Sequence, residues 1–419
     1  MNSVINSFKK SLVPERDFLS EMTSETKEFI KLLEGEIRKQ KARADVFIGG
    51  SFVKGTMLKS EKYDVDIFVR FNSEDKILGL EKIISKVVKK IGKKCLKVHG
   101  SRDYFQIDMG EFCFEVVPVL KISRPKDALN VTDLSYFHVN YVKRKARGLE
   151  GEIRLAKAFF KASGVYGAES YIQGFSGYGV ECLIIHYKSF LKMLKSIVSS
   201  NEQIIIDSGK HYRNSREVLI ELNESKRKGP IVLVDPTFKE RNVLAALNKE
   251  SFDKVRELAG RFLKAPSERF FIADEINLEA LKRKAVKAKA ELLVFNIETQ
   301  RQAGDIAGTK MKKFSRFVER YLEKQYSILA SEFDYSGADK AKVYFIVKPK
   351  KEVILRGPPA FMSEYVGVFR KKHRNAVLKR GRWYASAKVG NAQDYAELLI
   401  KDKKILEQMD ISKVELEIV

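Results

Sequence analysis

Ala44-Asp-Val-Phe-Ile-Gly-Gly-Ser51, followed after a short segment by Asp64-Val-Asp-Ile-Phe-Val69, is the stretch on which the fold of this chain turns. Two short apolar runs flank a glycine-rich turn, a pattern that reads as strand, tight turn, short helix, strand. On the second strand Asp64 and Asp66 are one residue apart, so the two-residue period puts both carboxylates on one face. They repel each other there unless a cation sits between them; taken alone, Asp-x-Asp is better explained by a plain solvated face. Upstream, Gly50-Ser51 opening a helix presents backbone N–H groups, a hydroxyl and a positive helix end to a phosphate, whereas a lone Gly-Gly-Ser would be only a turn. A phosphate cradle beside a metal-binding strand describes a nucleotidyl-transfer site. That chemistry calls for a third acid, because two Mg²⁺ ions about 4 Å apart must clamp the attacking hydroxyl, the α-phosphate and the leaving pyrophosphate. Glu115, in Phe114-Glu-Val-Val-Pro118, is the candidate, since an uncompensated carboxylate in an apolar strand is costly. An edge-strand glutamate reaching solvent is the alternative.

The rest of the chain is consistent with this start. It has 419 residues, with 79 Lys and Arg against 55 Asp and Glu, a net charge of +24, and 44% hydrophobic residues. That length suggests three domains, and the charge a polyanionic partner, held by counterion release without regard to sequence. No apolar run approaches the ~18 residues of a spanning helix and Met1–Lys10 has no signal-peptide core, so a cytoplasmic protein without membrane contact is expected. Cys95, Cys113 and Cys182 have no CxxC spacing and read as packing thiols. Apolar residues at Phe18, Met22, Phe29, Leu33 and Ile37 predict a helix from Pro14 to about Lys41. Helix is predicted again from about Glu81 to Ile91, then a hairpin over Tyr104–Asp108 and Phe112–Val119, completing an α/β domain over residues 1–145. Residues 146–265 read as mostly helical, with Ser163-Gly164 closing a helix. Residues 266–419 mix basic helices with strand-like runs at Leu292–Ile297, Val343–Val347 and Val353–Leu355.

The order Gly-Ser, Asp-Val-Asp, Phe-Glu-Val-Val-Pro resembles the polymerase-β-like nucleotidyltransferase superfamily. A more specific set resembles the archaeal class I CCA-adding enzymes: Arg154-Leu-Ala-Lys157, Gly164-Val-Tyr-Gly-Ala-Glu169, Gly174-Phe-Ser-Gly-Tyr178, Glu181-Cys-Leu-Ile-Ile-His-Tyr187, Val234-Asp-Pro236, Arg241-Asn-Val243 and Lys379-Arg-Gly-Arg-Trp-Tyr384. The resemblance implies an α+β multidomain fold: an N-terminal nucleotidyltransferase domain, a mostly helical central domain for nucleotide and primer, and an α/β C-terminal RNA-binding region. It implies template-independent addition of C, C and A to the 3′ end of tRNA from CTP and ATP, with Asp64, Asp66 and Glu115 holding two Mg²⁺ ions. Glutamate stands where the family has aspartate, which leaves Asp108 as the fallback third acid. The resemblance also implies that Ser51 and Lys54, on the Gly50 turn, touch the triphosphate. Ser135, where threonine is expected, completes the nucleotide pocket with His138, Lys157 and Tyr166. Arg241 is implied to select the base together with RNA phosphates: cytosine N3 and adenine N1 accept hydrogen bonds, whereas uracil N3 and guanine N1 carry protons. The plainer readings are a half-buried histidine at His138, a core tyrosine at Tyr166, and a helix-start Arg241 paired to Asp235.

Basic clusters over Lys310–Arg320 (Lys312, Lys313 and Arg316 among them), Arg370-Lys371-Lys372 with Arg374, and Lys379, Arg380 and Arg382 are interleaved with Phe314, Phe317, Trp383 and Tyr384. They read as phosphate contacts beside stacking rings, or singly as solvated faces. By the resemblance they would hold the tRNA acceptor stem and TΨC arm through A-form shape. A homodimer is left open. The rival readings are a poly(A)-polymerase-like terminal transferase and a non-catalytic RNA-binding relative; the signature of the latter, loss of Asp64 or Asp66, is absent.

Overall fold

A computed structural model describes residues 2–60, 62–273, 276–301 and 303–417. The chain divides into two compact units, Met1–Ala273 and Asp274–Val419.

In the first unit, helices α1 (Asn2–Ser11) and α2 (Arg16–Lys39) precede β1 (Ala44–Ile48), α3 (Gly50–Val53), β2 (Tyr63–Phe71), α4 (Leu80–Ile91), β3 (Cys95–Val98), β4 (Tyr104–Asp108) and β5 (Phe112–Leu120). The five strands form one sheet in the order β1-β2-β5-β4-β3. β2 and β5 run parallel at its centre and the other pairs are antiparallel. Alternation decides what each face carries. Val65, Ile67 and Val69 of β2 and Phe114 and Val116 of β5 are buried with Met22, Phe29 and Leu33 of α2 and Ile83, Ile84 and Val87 of α4. The intervening residues, Asp64, Asp66 and Glu115 among them, point to the other face.

The same unit continues with α5 (Ser135–Lys145), α6 (Glu150–Ala162), α7 (Gly177–Tyr187), α8 (Phe190–Ser199), β6 (Ile204–Ile206), α9 (Ser215–Glu221), α10 (Glu224–Arg227), β7 (Ile231–Asp235), β8 (Phe238–Asn242) and α11 (Lys249–Lys264). Its core joins α6, α7, α8 and α11 through Phe159 and Phe160, Leu183, Phe190 and Phe262 respectively. The segment read as helical also holds a three-stranded sheet, β6-β7-β8. β7 is buried at every position, and so short an apolar run has no period to separate it from buried helix. Cys113 and Cys182 are buried packing thiols as expected, but Cys95 is exposed on the edge strand β3.

The second unit contains α12 (Leu278–Ala288), β9 (Glu291–Glu298), α13 (Asp305–Leu322), β10 (Tyr326–Asp334), β11 (Lys340–Pro349), β12 (Val353–Pro359), α14 (Ser363–Lys372), β13 (Val377–Lys379), β14 (Arg382–Ala387), α15 (Ala392–Ile400), α16 (Lys403–Gln408) and β15 (Lys413–Glu417). A four-stranded sheet, β10-β11-β9-β15, carries the core with α13 and α15, and β12-β14-β13 form a smaller sheet. Among the described residues no helix is long and apolar enough to cross a membrane.

Candidate active site

The parallel pairing of β2 with β5 sets Asp66 directly opposite Glu115 and Asp64 opposite Cys113. On the far side of β5, Gln106 of β4 faces Glu115 and donates from Nε2 to its Oε1 at 2.8 Å. Asp108 lies on the same face but one row out, exposed, where it accepts from Lys62 at 3.0 Å and from the Gly110 amide at 3.2 Å. Of the two candidates for a third acid, the register therefore brings Glu115 beside Asp66. Burial raises the Glu115 carboxyl to about 7, with Asp66 adding to the rise and Gln106 opposing it. Asp66 is raised to about 6 by burial, with Lys54 pulling it down and Asp64 pushing it up. Asp64 is raised by burial as well. Lys62 instead holds Asp108 below its ordinary value.

Neither Asp64 nor Asp66 has an ion-pair partner among the described residues. Among those residues no three His, Cys, Asp or Glu side chains stand gathered as a ready-made metal cage. The donors nevertheless fit a hard divalent cation: they are carboxylate oxygens whose proton affinities burial raises, with Lys54 offsetting that only in part at Asp66.

The turn beside them has little freedom. Gly49 donates its backbone N–H to the Asp66 carbonyl at 2.8 Å. Gly50 adopts φ +65°, and a Cβ at that position would overlap the Asp66 carboxylate. Only glycine meets both conditions. Ser51 and Lys54 follow at the start and end of α3, and Arg154 of α6 fixes the loop beyond, donating to the carbonyls of Gly55 at 2.7 Å and Met57 at 3.1 Å.

Lys54 and Lys157 meet at a residue to which the sequence reading gave no role. Glu181 of α7, fully buried, accepts from Lys54 at 2.6 Å, Lys157 at 2.9 Å and the Thr56 hydroxyl at 2.7 Å. Burial alone would raise its carboxyl, but Lys157 and Lys54 outweigh that and hold it at about 2. Tyr166 is half-buried with its hydroxyl beside Gly177 at the start of α7, and burial raises its phenol.

A second buried acid, Asp235 at the end of β7, gathers the base-facing candidates. It accepts from His138 Nε2 at 2.9 Å, Arg241 Nη1 at 2.8 Å, the Tyr178 hydroxyl at 3.1 Å, and both the amide and hydroxyl of Thr237 at 2.8 Å. His138, on α5 three residues after Ser135, stacks on Tyr178 with ring centroids 4.0 Å apart. Burial lowers the His138 imidazole despite Asp235, and the Asp235 carboxyl, which burial would raise, is held far down by His138 and Arg241. Arg241 does pair with Asp235, but from strand β8 rather than a helix start. One of its five guanidinium N–H donors is thereby committed.

The basic clusters lie in the second unit. Phe314 is fully buried in the core of that unit, so its ring is not available for stacking on bases, and Phe317 packs partly buried against that core; α13 turns Met311, Phe314 and Val318 inward and Lys313 and Arg316 outward. Lys312 Nζ stands 4.7 Å from the Phe333 ring centre. Arg370 lies over the Trp383 ring at 4.8 Å, with Lys371, Lys372 and Arg374 exposed around the end of α14. Lys379 and Arg380 are exposed at the β13–β14 turn, whereas half-buried Arg382 donates to the Gly357 carbonyl at 3.0 Å.

Comparison with known proteins identifies the family. Residues 30–127 match a family model described as a nucleotidyltransferase domain, and residues 151–272 one described as the second domain of tRNA nucleotidyltransferase. The chain is 36% identical over 345 residues to a CCA-adding enzyme of Nanoarchaeum equitans, covering 81% of this chain and 83% of that protein. It is 28% identical over 429 residues to a CCA-adding enzyme of Thermoplasma volcanium, covering 99% of this chain and 88% of that one. Among solved structures, the Cid1 poly(U) polymerase matches with a TM-score of 0.51 and 12% identity over 65% of this chain or slightly less and 98% of its own, a likeness of fold alone. The chain belongs to the CCA-adding enzymes, the tRNA nucleotidyltransferase family.

Proposed function

We propose that this enzyme adds C, C and A to the 3′ end of tRNA through a site built on Asp64, Asp66 and Glu115. The observation that carries the assignment is the row formed by Asp66 and Glu115 across the central strand pair, with the Gly50 turn closed against it. The tRNA 3′-hydroxyl attacks the α-phosphate of CTP, twice, and then of ATP: an O3′–P bond forms, the bond to the β-phosphate oxygen breaks, and pyrophosphate leaves. Nucleoside triphosphates and a divalent metal belong to this chemistry; we assign the metal as Mg²⁺, two ions, held by the three carboxylates. When bound, such ions neutralise the developing phosphate charge and favour the alkoxide.

This chain's own residues do the positioning on which such a transfer chiefly depends. Gly50 and Ser51 offer backbone and hydroxyl donors to the triphosphate, and Lys54 and Lys157, held by Glu181, add charge beside it. Ser135, His138 and Tyr166 line the nucleotide, and Arg241, held by Asp235, presents its remaining donors to the base edge. We assign catalysis to residues 1–145, nucleotide and primer binding to 146–265, and the grip on the acceptor stem and TΨC arm to 266–419, through Lys312, Lys313, Arg316, Arg370, Lys371, Lys372, Arg374, Lys379, Arg380 and Arg382. A cytoplasmic setting and a homodimer are compatible with this reading. The test is incubation of the full chain with tRNA lacking CCA, CTP, ATP and Mg²⁺, followed by sequencing of the 3′ ends. Addition that stops after C, C and A is expected; an open-ended homopolymer tail would instead mark a poly(A)-polymerase-like transferase.

A further inference from the structure

Between the end of α3 and the end of α5 lies an open hollow of about 390 Å³, lined by Val53, Lys54, Gly55, Asn140, Lys143, Arg144 and Arg147. Four of its lining residues are cations and none is an acid. Lys143, Arg144 and Arg147 are exposed, and none has an ion-pair partner among the described residues. Positive charge is favoured in the last turn of a helix, which accounts in part for Lys143 and Arg144. It does not account for Arg147, which stands beyond the Ala146 cap, nor for the convergence of all four on one hollow. Like charges so gathered repel unless an anion lies among them.

The floor of the hollow is fixed rather than adaptable. Arg154 ties down the Gly55 carbonyl at 2.7 Å, and Glu181 holds Lys54 at 2.6 Å. Lys54 also connects the hollow to the acids, because its charge favours the ionised form of Asp66. We propose that this hollow is a second phosphate seat, beside the triphosphate site, that takes either the departing pyrophosphate or a backbone phosphate of the RNA 3′ end. It rests on the nucleotidyl-transfer reading above, and the two sources share one chemistry, a phosphate anion among three uncommitted cations.

The test uses the full-length chain with Lys143→Gln, Arg144→Gln and Arg147→Gln combined; all three are exposed, and Lys54 is left intact. Binding of inorganic pyrophosphate is measured by calorimetry. Binding of an acceptor-stem minihelix ending before CCA is measured by anisotropy at several salt concentrations. A control carries Lys82→Gln, Lys86→Gln and Lys89→Gln on α4, the same loss of charge elsewhere. We expect one affinity to fall about tenfold, as loss of charged hydrogen bonds predicts. A fall for pyrophosphate alone identifies the leaving group. A fall for the minihelix, with the salt slope flattened by roughly 0.7 for each single-strand phosphate no longer neutralised, identifies the RNA. Both affinities staying within about twofold of the unsubstituted enzyme, or falling no further than in the control, overturns the proposal. Neither binding measurement needs turnover, so an enzyme that added no nucleotide would refute the proposed function while the hollow was still tested.

Discussion

Glu181→Gln would remove one negative charge from the place where Lys54 and Lys157 both end. Glutamine can accept from one of the two ammonium groups, but its own N–H₂ would face the other, leaving a buried lysine uncompensated. Breaking a buried pair by removing one partner costs about 3–5 kcal/mol. An independent route gives a similar figure: a carboxyl held at about 2 instead of 4.5 contributes about 3 kcal/mol at neutral pH. The sign follows from the depressed value. The contribution is fully present above the unfolded value and is lost as pH falls toward the folded one, roughly halving by pH 3. Urea unfolding followed by far-UV circular dichroism should therefore show the first unit of the variant destabilised by about 3 kcal/mol from pH 8 to 5, with the difference shrinking below about pH 4.5. Trp383, the single tryptophan, lies in the second unit, so its fluorescence serves as an internal control and should keep its wild-type midpoint. A cost under about 1 kcal/mol at pH 7, or one that stays undiminished at pH 3, would refute the reasoning.

Asp64→Asn or Asp66→Asn should abolish addition of both C and A while tRNA affinity changes by less than about twofold; retention of more than a few per cent of the C-addition rate would sink the metal assignment. Glu115→Gln should be as damaging and Asp108→Asn mild, and the reverse ranking would refute the choice of third acid. Because Asp66 and Glu115 hold protons up to about 6 and 7, divalent-ion affinity followed by Mn²⁺ titration should tighten as pH rises from 5.5 to 8, and a flat profile would contradict the shared site. Arg241→Ala should raise misincorporation of U relative to C under single-turnover conditions, and Asp235→Asn should do so in part by freeing the guanidinium; an unchanged preference in both would leave Arg241 a structural residue. Neutralising Arg370, Lys371, Lys372 and Arg374 together should weaken tRNA and minihelix binding equally and flatten the salt slope by roughly 0.7–0.9 for each phosphate no longer neutralised, and an unmoved slope would make the cluster a solvated face.

The parts of this architecture legible in sequence were those encoded locally. The two-residue period of Asp64-Val-Asp66 and the glycine turn before it lie within one short stretch, and β1, α3 and β2 fall where that stretch puts them. Glu115 could be nominated as a polar residue in an apolar strand, but its position opposite Asp66 depends on parallel pairing across α4 and two further strands, which no local pattern states. For the same reason Glu181 carries no role in the sequence reading and Asp235 only that of a partner to Arg241. Each is a single acid in an apolar run, and its meaning comes from partners up to 127 positions away. Phe314 shows the opposite error: aromatics interleaved with lysines suggested a stacking surface, yet the 3.6-residue period of α13 puts the ring and the charges on opposite sides.

The closure of the Gly50 turn against Asp66 has a mechanical consequence. The backbone bond from Gly49 and the overlap that any side chain at 50 would suffer make the turn and the strand one stiff part. A shift of the carboxylate along β2 must therefore drag the Gly50 turn with it, and a tightening of the turn must push on the carboxylate. Under the proposed assignment, the distance between metal and phosphate is a fixed dimension of the scaffold, and adjustment to two different bases is left to the side chains around Asp235.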